Sequence, residues 1–478
     1  MVSGSILKEG FSLANARSAA MAKNDLTQGN ILKKIIMFAL PVLGGSIFTQ
    51  LYNVVDSIVV GQFVGASALA AVGSSFTISM LCNSIFAGLG GGSSVLCSQF
   101  YGAGKKDELG DMVATTYTLG LIIGAILTVV GILIARPVLM LLNTPADILD
   151  NSVIYLQIVF AGSIGHLFYN MGAAVLRGLG DAKWPMYFLI VCSVINVILD
   201  LLFVVVFHWG VAGVAWATII AQTVSAVGVV WRTVRGGYGF KLSFKMLHVD
   251  GKKALALCRI GIPTALSMLI SSLGMLVIQR YNNGFGSNFV ATMTIVQKVD
   301  GFAMLPIQAI GMSATTFVGQ NLGAGRDDRV KQGIRIISSS VIILGIVMGL
   351  SMYFFGYQLS AAFTTEPAVM EMSRNCLRIV CFMYWAMGLQ MTYQGVMRGA
   401  GAATVPMLIS FVCMIVRIPI AYLIAVRPNY YQGMLISMVI STMLGAAILF
   451  VFYKFGNWKK HVIARKAPAP AEAAKEEE

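Results

Sequence analysis

The chain contains one sequence pattern twice, at a constant offset of 221 residues. Residues 175–180 read Val-Leu-Arg-Gly-Leu-Gly, and residues 396–401 read Val-Met-Arg-Gly-Ala-Gly. Residues 99–105, which contain a Gly-Ala-Gly turn, return as residues 320–326 at the same offset. Two copies in this order predict a duplicated fold built from two homologous halves.

The halves are apolar over most of their length. The chain is 57% hydrophobic and 11% charged, whereas an ordinary soluble domain has roughly 25% charged residues. A helix needs about 20 apolar residues to cross the hydrocarbon core of a membrane. We therefore predict an all-α integral membrane protein with about twelve transmembrane helices, six in each half. The predicted spans lie near residues 33–56, 68–100, 112–142, 151–177, 184–207, 211–232, 254–281, 289–318, 334–362, 373–397, 404–426 and 431–454.

The number of spans and the basic residues predict the topology. Because each half has an even number of spans, both copies enter the membrane from one side, and the repeats are parallel. By our count, 27 Lys and Arg lie on the side of the termini and 5 on the other side. The positive-inside rule then predicts a multi-pass protein of the inner (plasma) membrane with cytoplasmic termini. The net charge of +14 thus reflects topology and does not indicate a nucleic-acid partner.

The same reading divides the chain into five segments. Each six-helix lobe is one half of the duplication, and a basic segment joins the two. The predicted segments are a cytoplasmic N-terminal tail (1–30), an N-terminal lobe (31–235), a cytoplasmic linker (236–251), a C-terminal lobe (252–455) and a disordered cytoplasmic tail (456–478).

Few acidic residues fall inside the predicted spans, and Asp200 and Asp56 are the strongest functional candidates. Asp200 lies in an apolar run, and Asn196 is one helical turn earlier, on the same face. A carboxylate costs several kcal/mol at membrane depth, so one that is retained there indicates function or a structural pair. Asp200 and Asn196 could hold a proton or contribute oxygen ligands to Na⁺. Asp56 lies near the end of the first span and is the second candidate.

A second charged group lies in the C-terminal half. Arg417 occupies the position equivalent to Asn196 at the repeat offset, so the acidic site is not duplicated. Asp300 follows Lys298 in the eighth predicted span. We predict that Asp300 neutralises Arg417 or Lys298 in a structural charge pair.

Three other features have mainly structural interpretations. Pro41 removes a backbone hydrogen bond inside the first span, which predicts a kink that could serve as a hinge. Glycines such as those in 88–92 predict close helix packing. The helically spaced Met383, Met387 and Met391 predict a packing surface, with the lining of a cavity as the alternative.

No nucleotide motif is present. The Gly-Ala-Gly turns at 102–104 and 323–325 lack the spacing of a phosphate-binding loop. We therefore expect no nucleotide, no cofactor, no enzymatic reaction and no catalytic residue. Energy for any transport should come from an ion gradient.

The ordered set of motifs resembles the multidrug and toxic compound extrusion (MATE) transporters over roughly residues 30–455. The resemblance implies two six-helix lobes in a V shape that export cationic, amphiphilic drugs in exchange for H⁺ or Na⁺. It also makes small amphiphilic cations and membrane lipids the expected partners of a monomer. The motifs that carry it are Leu40-Pro41-Val42, Val55-Asp56-Ser57, residues 99–104, Arg177-Gly178, the Asn196 and Asp200 pair, and residues 319–325.

The resemblance also implies an ion-coupling site in the N-terminal lobe. The acidic residue of span one in the family matches Asp56, and the Asn/Asp pair of DinF-like and archaeal members matches Asn196 and Asp200. A span-six threonine matches Thr218. NorM-like members carry carboxylates on spans seven and ten, where this chain has only Glu371, just outside span ten. The DinF-like branch is therefore favoured, with H⁺ or Na⁺ as the coupling ion.

Three other functions remain as alternatives to drug antiport. A flippase for a lipid-linked precursor would need a more cationic cleft, and its candidates Arg177 and Arg398 fall in predicted cytoplasmic loops. A passive channel would dissipate a gradient without exchange. A sensor of the same fold would move no solute.

Overall fold

The computed structural model describes residues 25–240 and 248–466. These residues form fourteen α-helices and no β-strand, and most helices are long and rich in Leu, Ile, Val and Ala. The predicted N-terminal tail up to residue 24, part of the linker, and residues 467–478 lie outside the described residues. The helices are α1 Ile31–Val59, α2 Ala66–Ala103, α3 Lys106–Leu141, α4 Ala146–Ala161, α5 Ser163–Gly178, α6 Lys183–Leu201, α7 Gly210–Arg235, α8 Gly251–Asn283, α9 Ser287–Gly323, α10 Asp327–Ala361, α11 Pro367–Val380, α12 Tyr384–Gly399, α13 Thr404–Ala421 and α14 Gln432–Phe455.

The membrane spans follow the predicted pattern closely. In the described part of the chain, ten helices are long and apolar enough to cross a membrane, and α4 and α5, which meet at a 49° bend, would make eleven. The remaining predicted span, 373–397, is the tenth along the chain and corresponds to α11, a short 3₁₀ turn and α12. Charged residues in α11, including Arg374 and Arg378, make this part of the predicted span more polar than an ordinary span.

Glycines allow α2 of the first half to lie directly against α8 of the second half. A methyl group at Gly88 would overlap the backbone of Ala265, and one at Gly92 would lie 2.8 Å from the carbonyl oxygen of Leu257. This confirms close packing as the role of glycines in the run 88–92, because small residues let helix backbones approach.

The two halves are joined at one end of the molecule by a hydrogen bond that is made twice. Gln99, at the end of α2, donates from Nε2 to the carbonyl oxygen of Gly399 at 2.9 Å. Gln320, at the end of α9, donates from Nε2 to the carbonyl oxygen of Gly178, also at 2.9 Å. The donors are repeat equivalents, and so are the acceptors. We call this end, where both terminal segments also lie, the terminal end.

Each terminal segment crosses to the opposite half. The backbone N–H of Leu26, ahead of α1, donates to Gln320 Oε1 at 3.0 Å, and Leu26 packs in a core cluster of the C-terminal half. The backbone N–H of Ile463, after α14, donates to Gln99 Oε1 at 2.9 Å, and Ala464 packs in the core of the N-terminal half.

The prediction that the whole C-terminal tail is disordered is wrong for residues 456–466. They contain a 3₁₀ turn, Trp458–His461, and the side chain of Trp458 is buried. The apolar surfaces of both halves offer these residues packing partners that the tail composition did not reveal.

Pro41 lies within a continuous helix. α1 runs from Ile31 to Val59 through Pro41 and continues as a π-helical turn, Val60–Val64. Similar π turns extend α6 (Leu202–Val206) and α13 (Tyr422–Val426). The hinge role of Pro41 stays a prediction.

Candidate functional site

Two carboxyl groups meet in the N-terminal half. Asp200, on the last turn of α6, is fully buried, and its side chain is in hydrogen-bonding contact with that of Asp56 on α1. One oxygen of each group, Oδ1, is buried without a hydrogen-bond partner, and neither group forms an ion pair within 25–240 and 248–466. The structure thus brings together the two aspartates that were predicted separately.

Asn196 and Thr218 complete the predicted set. In the amide orientation that satisfies its neighbours, Asn196 donates to Asp200 Oδ2 at 2.9 Å and accepts from the backbone N–H of Thr218 at 3.3 Å. The Thr218 hydroxyl in turn donates to the carbonyl oxygen of Val214 at 3.0 Å. Asn196 therefore links α6 to α7 and fixes the position of the Asp200 carboxyl group.

Two tyrosines belong to the cluster and were not predicted. The Tyr52 side chain interacts with Thr218 and lies near Asp56, while Tyr155 on α4 lies near both aspartates. Tyr52 is one turn before Asp56 on the same helix, so helical spacing could have found it. Tyr155 comes from a helix about 100 residues further along the chain, and no spacing rule connects it to Asp56.

The cluster is suited to one small cation. Two carboxylates in contact repel each other strongly in a buried site unless a proton or a metal ion lies between them. Carboxylate, amide and hydroxyl oxygens are the ligands that hard cations prefer. No group of three or more His, Cys, Asp or Glu that could hold a metal is found in the described part of the chain. A Na⁺ here would therefore be held by a mixed oxygen set, and a proton needs only the two aspartates.

A separate cavity of about 750 Å³ lies mainly in the C-terminal half, with α2 forming part of its wall. Its lining includes two arginines, Arg398 and Arg417, several amides, and eight methionines. Met387 and Met391 are among them, which confirms the cavity alternative for these two, whereas Met383 is fully buried in the core. None of the four predicted ion-site residues lines this cavity.

The predicted charge pair between Asp300 and Arg417 is wrong. No ion pair within the described residues includes either side chain, and each has a buried atom without a hydrogen-bond partner. Asp300 instead faces the Tyr384 hydroxyl, and the Lys298 ammonium lies over the Phe363 ring. Asp300 faces Tyr384, whereas Arg417 lines the cavity. The position of a residue in the repeat does not specify which of these surroundings its side chain meets.

The two halves also match a known family one after the other. The MatE family model matches residues 41–202 and again residues 263–423. The chain belongs to the MatE family. The two matches lie at the repeat spacing and therefore account for the duplication. As a member of this family, the chain is a multi-pass membrane transporter and not an enzyme. The match does not separate the DinF-like from the NorM-like branch, so the branch stays a prediction.

Individual relatives are similar over nearly the whole MatE chain. The probable multidrug resistance protein YoeA of Bacillus subtilis is 29% identical over 91% of this chain and 96% of its own. The FAD transporter of Shewanella oneidensis is 24% identical over 77% of this chain and 82% of its own. A structure described as the outward-facing conformation of a MATE family transporter superposes with a TM-score of 0.84, at 23% identity, over 91% and 98% of the two chains. This likeness confirms the predicted MATE fold, and the relatives' names support a multidrug efflux transporter.

Proposed function

We propose that this MatE protein is a secondary active efflux transporter that exchanges an amphiphilic small molecule for H⁺ or Na⁺. The observation that carries this proposal is the contact between Asp56 and Asp200. Their contact, with an unpartnered oxygen on each carboxyl group, gives the coupling ion a site. Because the pair joins α1 to α6, the presence of the ion changes how two helices of one lobe pack.

The terminal end faces the cytoplasm in our proposal, since 27 of the Lys and Arg lie on that side by the sequence count. The bonds from Gln99 to Gly399 and from Gln320 to Gly178 then close the cytoplasmic side. With this orientation, we propose that the described conformation is outward-facing. Rocking of the halves would break these bonds and open the cytoplasmic side, which is alternating access between parallel repeats.

Coupling requires the ion and the cargo to prefer different states. We propose that cation binding at Asp56 and Asp200 changes the packing of α1 near Pro41 and releases cargo outward. The lobes then rock, and the ion leaves to the cytoplasm. Only differential affinity can drive this cycle, because a ligand that binds both states equally shifts neither population.

The charge of the cargo is the part of the proposal with opposing support. The family resemblance implies amphiphilic cations, as do relatives named multidrug resistance proteins. The relative in Shewanella oneidensis is named for FAD, a molecule that carries phosphates. The transport test therefore includes cargo of both signs. The inner membrane location and a monomeric state are part of the same proposal.

The test is transport into proteoliposomes under an imposed pH gradient or an imposed Na⁺ gradient, with ethidium as the cationic probe and fluorescein as the anionic probe. We expect uphill movement of at least one probe under one gradient. Asp200→Asn should abolish gradient-driven transport while the protein still inserts. Asp147→Asn is the matched control, because Asp147 is an exposed aspartate outside the cluster.

Two outcomes would contradict antiport. Probe movement that only follows its own gradient, unchanged by Asp200→Asn, would indicate a passive channel. If neither gradient drives either probe, and a fluorescent lipid-linked pyrophosphate moves between the leaflets, the protein is a flippase. A sensor would move none of these molecules.

A further inference from the structure

The large cavity of this transporter has a basic character. Among the described residues that line it, two are arginines and none is Asp or Glu. A cavity built for a cation would be expected to offer carboxylates, because an organic cation that leaves water must recover its lost solvation. The guanidinium groups instead repel a cation and attract an anion.

Arg417 is the strongest feature of this cavity. It lies on α13, is partly buried, and forms no ion pair within the described ranges. Its Nε atom is buried and has no hydrogen-bond partner. A buried guanidinium is costly without a partner, and here the cavity provides space for an anionic one. The arginine is therefore placed to receive a group that the protein itself does not supply.

Arg398 is the second basic group in the lining. Its Nη2 donates to Gln394 Oε1 at 3.2 Å, which orients the guanidinium, while its buried Nε has no partner. Residue 399 accepts the hydrogen bond from Gln99 that closes the terminal end. An anion at Arg398 would thus lie next to a residue that joins the two halves.

The duplicated fold shows that the two halves have diverged at this position. Arg417 is the repeat equivalent of Asn196, which orients the Asp200 carboxyl group in the other half. The N-terminal half uses the position to build an acidic site for a small cation. The C-terminal half uses it to place a positive charge in a cavity.

The rest of the lining fits an apolar body. The eight methionines include Met268, Met312 and Met414, and methionine adapts to ligands of varied shape. Gln308 and Gln390 add amide groups. The volume of about 750 Å³ lies within the range of pockets that hold drug-sized ligands, roughly 300–1,000 Å³.

We propose that this cavity binds amphiphilic anions, with a carboxylate or phosphate head at Arg417, Arg398 as a second donor, and the apolar body against the methionines. The inference rests on the proposed function, in that the cavity is taken to be the cargo site. It names a substrate class opposite in charge to the one implied by the family resemblance.

The test compares two dyes with the same ring system and opposite charge. Purified protein in nanodiscs is titrated with fluorescein, an anion, and with rhodamine 6G, a cation, and binding to empty nanodiscs is subtracted. We expect fluorescein to bind more tightly than rhodamine 6G. Arg417→Gln should weaken fluorescein binding by at least about tenfold, which corresponds to about 1.4 kcal/mol, and should not weaken rhodamine 6G binding.

Two further variants separate lost charge from lost folding. Arg417→Lys keeps the charge and should bind fluorescein within about threefold of the wild type, a difference under 1 kcal/mol. Arg427→Gln removes an exposed arginine outside the cavity and should change nothing. The proposal is overturned if rhodamine 6G binds better than fluorescein, or if Arg417→Gln and Arg398→Gln both leave fluorescein binding unchanged.

A competition arm distinguishes two sources of the anionic head. If farnesyl pyrophosphate displaces fluorescein at a lower concentration than decanoate does, the site is assigned to a lipid-linked phosphate. The reverse order would assign it to free carboxylates. Fluorescein binding that depends on Arg417, in a protein for which neither gradient drives transport, would leave the anion site standing and contradict antiport. Failure of fluorescein binding together with gradient-driven ethidium transport would overturn the anion site and leave antiport standing.

Discussion

Gln99 and Gln320 are repeat equivalents, and each donates to the backbone of the opposite half through a hydrogen bond of 2.9 Å. Each also accepts a backbone N–H from a terminal segment, from Ile463 in one case and Leu26 in the other. One side chain therefore ties three segments together at each of two symmetric places. We infer that this arrangement sets the stability of the closed terminal end.

The two glutamines should control the opening of the terminal end. Gln99→Ala together with Gln320→Ala should open the terminal end, because each lost hydrogen bond contributes about 1 kcal/mol and leaves buried carbonyl and N–H groups unpaired. Spin labels at the exposed, repeat-equivalent positions 107 and 328, in a background without the native cysteines, would report the distance between the halves. We expect a longer distance to gain population. An unchanged distance distribution would show that the glutamines do not hold the halves.

A steric change at the same place should act more strongly. A methyl group at Gly102 would overlap the carbonyl oxygen of Gln320, and one at Gly323 would overlap that of Gln99. Gly102→Ala should therefore separate α2 from α9 and favour the open terminal end in the same distance measurement. Gly73→Ala is the control, because a methyl group there meets no atom within 4 Å. Equal distributions for the two variants would contradict the close crossing.

The C-terminal segment is held by ion pairs to Asp327. Lys459 Nζ lies 2.6 Å from Asp327 Oδ1, and Arg465 binds the other carboxylate oxygen. Because all three groups are partly exposed, Asp327→Asn should cost only about 1 kcal/mol or less, and added salt should reduce the effect. Thermal unfolding at low and high salt measures it, with the neighbouring exposed Asp328→Asn as control. A loss that is independent of salt would argue against an electrostatic tie.

Tyr238 forms a buried hydrogen bond at the start of the linker. Its hydroxyl donates to Asp181 Oδ2 at 2.7 Å, and Arg232 binds the same oxygen at 3.3 Å. Burial and the neighbouring Asp181 raise the pKa of Tyr238 well above its usual value. The raised pKa keeps the hydroxyl protonated up to alkaline pH, so its contribution is present below the ordinary tyrosine pKa and should not fall between about pH 7 and pH 9.

Tyr238→Phe should accordingly lower the free energy of unfolding by about 1–3 kcal/mol, since a hydrogen bond to a charged group is lost. The measurement is thermal unfolding across that pH range, with the exposed Tyr187→Phe as control. A stabilisation that disappears by pH 9 would mean that the hydroxyl ionises below the ordinary tyrosine pKa of about 10 and would contradict this description.

The sequence predicted the duplicated helical frame and most residues of the candidate ion site, for physical reasons. Apolar runs and the repeat offset specify how many helices form and which positions correspond. The sequence identifies Asp56 and Asp200 individually, because a carboxyl group inside an apolar span is energetically costly and therefore indicates a function or a structural pair. The sequence does not identify Tyr155. Its position beside the two aspartates depends on how α4 packs, and the residues around Tyr155 do not reveal that packing.

The error at Arg417 has a different origin. Charge balance suggested a partner for a buried arginine, and Asp300 was the nearest candidate in the same half. In the structure, Arg417 lines a cavity and Asp300 faces Tyr384. Pairing rules assume that the protein neutralises its own charges, and they fail here because Arg417 faces a cavity and not an acidic side chain.

The central claim is that one ion and one cargo molecule compete through the state of the Asp56 and Asp200 pair. The most direct test is ion release when cargo binds, because linkage makes the coupling between two ligands reciprocal. The dye that binds, fluorescein or rhodamine 6G, is added to purified protein in weak buffer. A pH electrode follows the released protons, and filtration measures the released ²²Na⁺. The account predicts that the wild type and Asp147→Asn release H⁺ or Na⁺ as the dye saturates, while Asp200→Asn releases neither. Saturable dye binding by the wild type without release of either ion, or equal release by Asp200→Asn, would contradict it.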